Sequence, residues 1–419
     1  DKILKVRQEN EEEAVNVVGM RTDDAVKLIK GPKGTNVILT LKKVDGTIED
    51  LSIPRDVIEL EERLAKSAFV EREGKTYGVI NLPAFYADFE DYNKTNASND
   101  VKKEIERLKA EGMEGLVLDL RNNGGGSLKT VVEMVGLFIK EGPVVQVRST
   151  GEPQEVLQDR DRSITWDGPL VILVNELSAS ASEILAAAMQ DYKRAIVIGS
   201  KQTYGKGTVQ IVLDLNRMVR NNTNGDMGAL KFTTQKFYRI NGGSTQLEGV
   251  KSDVVVPDRY SYIDIGERDQ ENPLAWDKIA PAEYTIWDSY FDYDSTIEKS
   301  KERMQSSEQL KLIDENAKWI KTIRDRSVFS LNYNDYKSKL EANEEEAKRF
   351  EKISEYTTNL SFKSLPYENV LIAKDSVLKI KRERWHESLA KDVYMEEAIN
   401  VLNDLKMTYG IKKVATVKD

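Results

Sequence analysis

No cysteine occurs among the 419 residues, and there is a single histidine, His386. The first absence excludes disulfides, a thiolate nucleophile and any cysteine-held metal, and it leaves the redox compartment open. The second excludes every multi-histidine zinc site. It also makes a Ser-His-Asp triad depend on an imidazole in Arg384-Trp385-His386-Glu387, far from any glycine- or serine-rich motif. His386 reads as a packed or surface residue of a helix. Long apolar runs are missing too: nothing approaches the roughly 18 residues of a membrane span. The longest stretches, such as Leu170 to Val174, have the length of buried strands. Nor is there a basic excess, and a formal charge of -9 argues against a general nucleic-acid or anionic-membrane surface.

What is present is a polar globular chain, 40% hydrophobic and 32% charged, long enough for two or three domains. It opens at Asp1 without a methionine, inside what reads as the middle of a domain. A fragment is therefore expected, and the lack of a leader carries no information. Residues 1–55 form a small unit: Thr22 caps a helix through Lys30 with Val26 and Ile29 on one face, and Gly31-Pro32 stops it. Val37 to Leu41 then read as a strand and Asp45-Gly46 as a hairpin turn.

From 56 to 260, short apolar runs alternate with amphipathic helices. The strands expected are Tyr77 to Leu82, Gly115 to Leu120, Val144 to Val147, Leu170 to Val174 and Ala195 to Ile198. The helices are Asp100 to Glu111, Ser127 to Ile139 and Ile184 to Asp191. That alternation indicates βαβ units on a largely parallel sheet, an α/β class. Phe232 to Ile240 with Asn241-Gly242-Gly243 and a return run suggest a hairpin. From 261 to 419 the sequence is charged and helical, with stripes at Ile313, Ala317, Ile320 and at Met395, Ile399, Leu402; Glu344 to Glu346 mark a solvated face.

Three segments could carry chemistry. Asp119 to Ser127 holds Gly124-Gly125-Gly126 between a strand and a helix, where free amides can meet an anion. Taken alone it is as well read as a flexible turn, and it does not fit GxGxxG, because Lys129 stands where the last glycine belongs. Leu177-Ser178-Ala179-Ser180-Ala181-Ser182-Glu183 puts serines at a helix N-terminus, and ordinary capping accounts for it equally well. Gln202 to Gln210 carries Lys206 between two glycines; it is no Walker A loop, since Ser200 and Gly207 occupy the wrong places. A lysine packed there would be partly desolvated, and desolvation lowers its pKa toward that of a general base. Together the segments supply a nucleophile, a base and oxyanion donors, which is acyl-transfer chemistry.

These motifs, in this order, resemble the carboxyl-terminal processing peptidases, most closely their periplasmic tail-specific branch in Gram-negative bacteria. The likeness extends through Phe237 to Gln246 and Gly249 to Asp253 to the helical end. It implies a crotonase/Clp-protease-like core at 56–260, a partial PDZ domain at 1–55 lacking its N-terminal part, and a helical C-terminal domain at 261–419. It implies Ser180 as nucleophile, Lys206 as base, Gln210 orienting that lysine, and the amides of Gly125 and Ala181 as oxyanion hole. Gly124, Glu183, Asp191 and Thr203 fall at supporting positions, and Ser178 and Ser182 become structural. The loop Gly199 to Tyr204 is one residue longer than is usual for the family, so serine and lysine stand 26 apart. The resemblance further implies protein substrates with apolar C-terminal tails, export to the periplasm, no cofactor or metal, and in some relatives a lipoprotein adaptor. Two other readings fit parts of the pattern. One is a catalytically degenerate PDZ-containing peptide-binding scaffold; the other is a crotonase-like hydratase or thioesterase, which gives no reason for a lysine beside a serine.

Overall fold

The computed structural model describes residues 2–42, 47–56, 64–88, 91–92, 95–219 and 225–408, and the chain divides into two compact units, 1–61 and 62–419. The first unit is a four-stranded antiparallel sheet. β1 (Lys2–Gln8) lies between β2 (Val15–Asn16) and β3 (Asn36–Lys42), and β4 (Ile48–Pro54) pairs with β3. Helix α1 (Thr22–Ile29) packs Ala25, Leu28 and Ile29 on Val6, Val37 and Leu39. Its N-cap is Arg21, without a side-chain bond, so Thr22 is the first helical residue and not the cap expected of it. The Asp45-Gly46 turn lies outside the described residues.

In the second unit, strands β5 (Lys66–Arg72), β6 (Lys75–Asn81) and β7 (Met113–Asp119) are joined by α2 (Ala97–Ala110) between β6 and β7. Helix α3 (Leu128–Val135) leads to β8 (Gly142–Ser149), β9 (Glu155–Asp159) and β10 (Leu170–Val174); α4 (Ala181–Asp191) then leads to β11 (Ile196–Gly199), β12 (Thr208–Asp214), β13 (Ala229–Tyr238) and β14 (Val254–Val255). The C-terminal part holds α5 (Tyr293–Ser306), α6 (Glu308–Arg324), α7 (Tyr333–Arg349), β15 (Phe362–Lys363), α8 (Pro366–Ile372), α9 (Ser376–Ala390) and α10 (Val393–Asp404).

A seven-stranded sheet runs β14-β11-β10-β7-β6-β5-β15, parallel from β14 to β6 and antiparallel beyond. Alternation along β10 divides the core. Leu170, Ile172 and Val174 face the side covered by α2, α3 and α4, and Val171 and Leu173 face the side where Ala398, Ile399 and Leu402 of α10 pack. Both faces are covered, which is why this strand reads as an unbroken apolar run. Two expectations need correction. Val144 to Val147 do form a strand, but β8 joins a separate antiparallel sheet, β12-β13-β8-β9. The partner of β13 is β12 upstream; the return run after Gly243 adds only the single bridge Tyr238 to Ser244.

Candidate active site

The strands β7, β10 and β11 are adjacent and parallel, so their C-terminal ends lie side by side. From these three ends leave the glycine loop, the serine corner and the lysine loop. Sheet topology therefore gathers three motifs that stand tens of residues apart, in the crevice where open parallel sheets hold their sites.

Helix α4 begins at Ala181, earlier than the periodicity suggested, and Ser180 is its N-cap. Ser180 has φ 58° and ψ -112°, a conformation that costs a non-glycine residue about 1–3 kcal/mol and that its neighbours must enforce. They do so densely. Ser180 N–H donates to Glu183 Oε2 (2.7 Å), Ala179 N–H to Asn123 O (3.0 Å), and Ser182 N–H to Ala179 O (3.1 Å). The three hydroxyls are not equivalent. Ser178 Oγ donates to Leu120 O (2.9 Å) and accepts from Asn175 N–H (2.9 Å), and Ser182 Oγ donates to Asn123 O (2.8 Å); both residues are buried. Ser180 is partly exposed, and its Oγ is engaged within its own helix start, as the acceptor facing the Glu183 amide in a capping box, while among the described residues no other loop bonds it.

Glu183 ties the corner to the lysine loop. Oε2 accepts from the amides of Ser180 (2.7 Å) and Lys206 (3.0 Å), and Oε1 accepts from Thr203 Oγ1 (2.6 Å) and the Gly205 amide (2.7 Å). The backbones of Ser180 and Lys206 thus share one carboxylate oxygen. Burial pushes Glu183 up to about 7 while its four donors pull the other way. Sequence spacing contained this signal, since Ser-x-x-Glu at a helix start is a capping box, but the second pair of donors comes from a loop twenty residues on. Glu183→Gln places an NH2 against two N–H donors, and we expect kcat to fall about 10²-fold. The sign of the linked stability follows from the raised value: the folded state keeps a proton that the unfolded chain releases near 4.5, so this contribution is lost as pH rises through about 7. Urea midpoints of the two proteins across that range should show the wild type alone carrying that loss.

Lys206 is half-buried, and among the described residues its Nζ makes no hydrogen bond or ion pair. Burial lowers its pKa, and Lys231 adds to this; Glu267 and Glu183 oppose. No hydrogen bond links it to Ser180 Oγ. Gln210 lies on β12 with an exposed side chain and does not bond Lys206. Gly125, at φ 101°, comes so close that a Cβ there would stand 2.7 Å from Ser180 Cβ and 3.0 Å from Ala181 N. The Gly125 amide is engaged by Asn123 Oδ1 (2.9 Å), while Ala181 N–H meets no acceptor among the described residues and Gly124 is exposed. Asn123, buried and also bonded to Leu82 O (2.8 Å), is a residue the sequence reading passed over.

Asp191 lies at the far end of α4, roughly 16 Å along the helix axis. It takes Arg239 through both oxygens (2.6 and 3.1 Å) and Asn241 (2.7 Å). Its place is structural. Asp191→Ala leaves a largely buried guanidinium unpaired and should cost about 3–5 kcal/mol in denaturant titration.

Comparison with known proteins gives this geometry a setting. Residues 76–256 match the profile of peptidase family S41, and residues 260–407 that of the C-terminal domain of tail specific protease. The chain is 39% identical over 360 residues to the tail-specific protease of Haemophilus influenzae, covering 85% of this chain and 50% of that protein. It is 32% identical over 258 residues to a carboxy-terminal-processing protease of Bartonella bacilliformis, covering 59% and 54%. The chain thus spans about half the length of these relatives. Among solved structures, the photosystem II D1 C-terminal processing protease is 25% identical with a TM-score of 0.40, covering 61% of this chain and 62% of that one. With the two profiles following one another along a core and a helical region that pack as one unit, the chain belongs to peptidase family S41, in the branch that carries the tail-specific C-terminal domain.

Proposed function

We propose that this chain is the catalytic part of a serine endopeptidase in which Ser180 attacks the scissile carbonyl and Lys206 is the general base. The observation that carries this is the singular state of Ser180. It is the one hydroxyl of the triplet that is partly exposed and not tied to another loop, on a strained helix N-cap, with its backbone clasped to that of Lys206 by Glu183. A neutral Lys206 amine takes the Oγ proton as the tetrahedral intermediate forms, then gives it to the leaving amine; water repeats the cycle on the acyl-enzyme. Negative charge develops at the start of α4, where the Ala181 amide is open and the helix dipole favours it. The Gly125 amide joins by exchanging its bond to Asn123 for one to the oxyanion. Side chains of catalytic pairs tighten on substrate binding, so the apo separation of Ser180 and Lys206, and the exposed Gln210, fit a resting arrangement. No step needs a cofactor or metal.

Residues 1–55 are read as the PDZ part that engages apolar C-terminal tails, 56–260 as a crotonase/Clp-protease-like core and 261–419 as the helical domain. Export to the periplasm, and a lipoprotein adaptor, follow the family. The test uses an unstructured protein ending in an apolar tail and the same protein ending in charged residues. Cleavage at least about tenfold faster for the first, in line with a loss of over 1.4 kcal/mol of recognition, is the expected result. Binding of the apolar tail without cleavage would identify the degenerate scaffold instead.

A further inference from the structure

The loop carrying the base is held from outside its own strand. Leu247 N–H donates to Gly205 O (2.8 Å), Thr245 Oγ1 to Lys206 O (3.2 Å), and Gly207 N–H to Gln246 Oε1 (2.9 Å). Three consecutive residues, 245 to 247, thus cross the three consecutive residues 205 to 207. The fit is close: a Cβ on Gly207 would stand 2.6 Å from Gln246 N. Gln246 is fully buried, and its Nε2 continues to Leu274 O (3.0 Å) and Glu267 Oε1 (3.4 Å). Glu267 returns to the loop through its own amide, which donates to Tyr204 O (3.0 Å). Gln270 Nε2 reaches Tyr204 Oη (3.2 Å). Glu267, Gln270 and Leu274 all lie within residues 260–407, the C-terminal domain.

We propose that Gln246 and Glu267 are positioning residues of the base loop, through which the C-terminal domain sets the placement and the charge environment of Lys206. This rests on the reading of Lys206 as base. The charges that bear on its ammonium are Lys231 of β13, Glu183 of α4 and Glu267. Glu267 favours the ammonium, so it restrains the downward pull of burial and of Lys231. Removing its charge leaves only Glu183 to oppose them, and the amine becomes neutral at lower pH.

The experiment measures kcat and KM against pH for the intact protein and its Glu267→Gln, Gln246→Ala and Lys206→Ala variants. Glu267→Gln keeps the amide bond to Tyr204 and should move the acid limb of the kcat profile to lower pH, with KM unchanged. Gln246→Ala frees the Gly207 amide and should lower kcat about 10- to 100-fold at unchanged KM. A Glu267→Gln profile superimposable on that of the wild type overturns the proposal, and a Gln246→Ala kcat within twofold of wild type overturns the part of Gln246. Should Gln246→Ala fail to fold, the Glu267→Gln profile decides alone. Lys206→Ala separates the two ideas: if it stays active, the base assignment has failed. If it is inactive while the Glu267→Gln profile is unmoved, only the brace has failed.

Discussion

Ser180→Ala is expected to abolish peptide-bond cleavage, with kcat down by about 10⁴- to 10⁶-fold, while the folded state is kept. The contrast with its neighbours is what makes this informative. Ser178→Ala leaves the Asn175 amide and Leu120 O without their hydroxyl, and Ser182→Ala removes a donor from Asn123 O. Each should cost about 1–3 kcal/mol of stability because buried polar groups lose a partner. Neither should reduce kcat per folded molecule by more than about tenfold, since those hydroxyls are engaged by backbone and cannot reach a substrate. Ser180→Ala gives up only the capping interaction at the start of α4, about 0.5–2 kcal/mol, and leaves no fully buried hydroxyl partner unpaired, so the protein should still fold. Unchanged turnover in Ser180→Ala, or turnover lost with Ser178→Ala at full folding, would remove Ser180 from the mechanism.

The glycine and serine motifs were legible as strand-to-helix corners, and the Lys206 loop by its flanking glycines, because glycine, small residues and helix caps leave local marks. So were β10 as a fully buried run and α10 as a stripe of Met395, Ile399 and Leu402. Which corners meet was not local information. It follows from the order of β7, β10 and β11 in the sheet, set by pairings such as Val171 with Ile196 and Leu170 with Leu116, between residues 25 and 54 positions apart. The choice among the serines has the same character: Ser178 and Ser182 are structural because Leu120 O and Asn123 O come to them from another loop. Periodicity likewise could not separate β8 from the parallel sheet. A short apolar strand looks the same in either setting, and its partner β13 lies some ninety residues away. Gln246, a single polar residue in a loop, left no pattern by which to find it.

Lys206→Ala should be as inactive as Ser180→Ala, and Lys206→Arg no better, because a guanidinium remains charged above pH 12 and cannot accept the serine proton. The pH dependence gives the sharper test. Only the neutral amine is a base, so activity falls as pH falls through the Lys206 pKa. Burial first, and Lys231 second, draw that pKa below the lysine value of 10.5, so the acid limb should end at a lower pH than an exposed lysine would allow. His386 is the one competitor for such a limb. It sits on α9, 3.5 Å from Ser364 Oγ, its own pKa lowered by burial. His386→Ala should therefore leave the profile where it was. A limb that vanished with His386, or persisted in a fully active Lys206→Arg protein, would return the proton to the imidazole. Because Ser180 and Lys206 are joined through the Glu183 carboxylate, Glu183→Gln should lower the plateau without reproducing the complete loss seen in either dyad variant. That ordering is the expected signature of a base and nucleophile whose backbones are set by one buried acid.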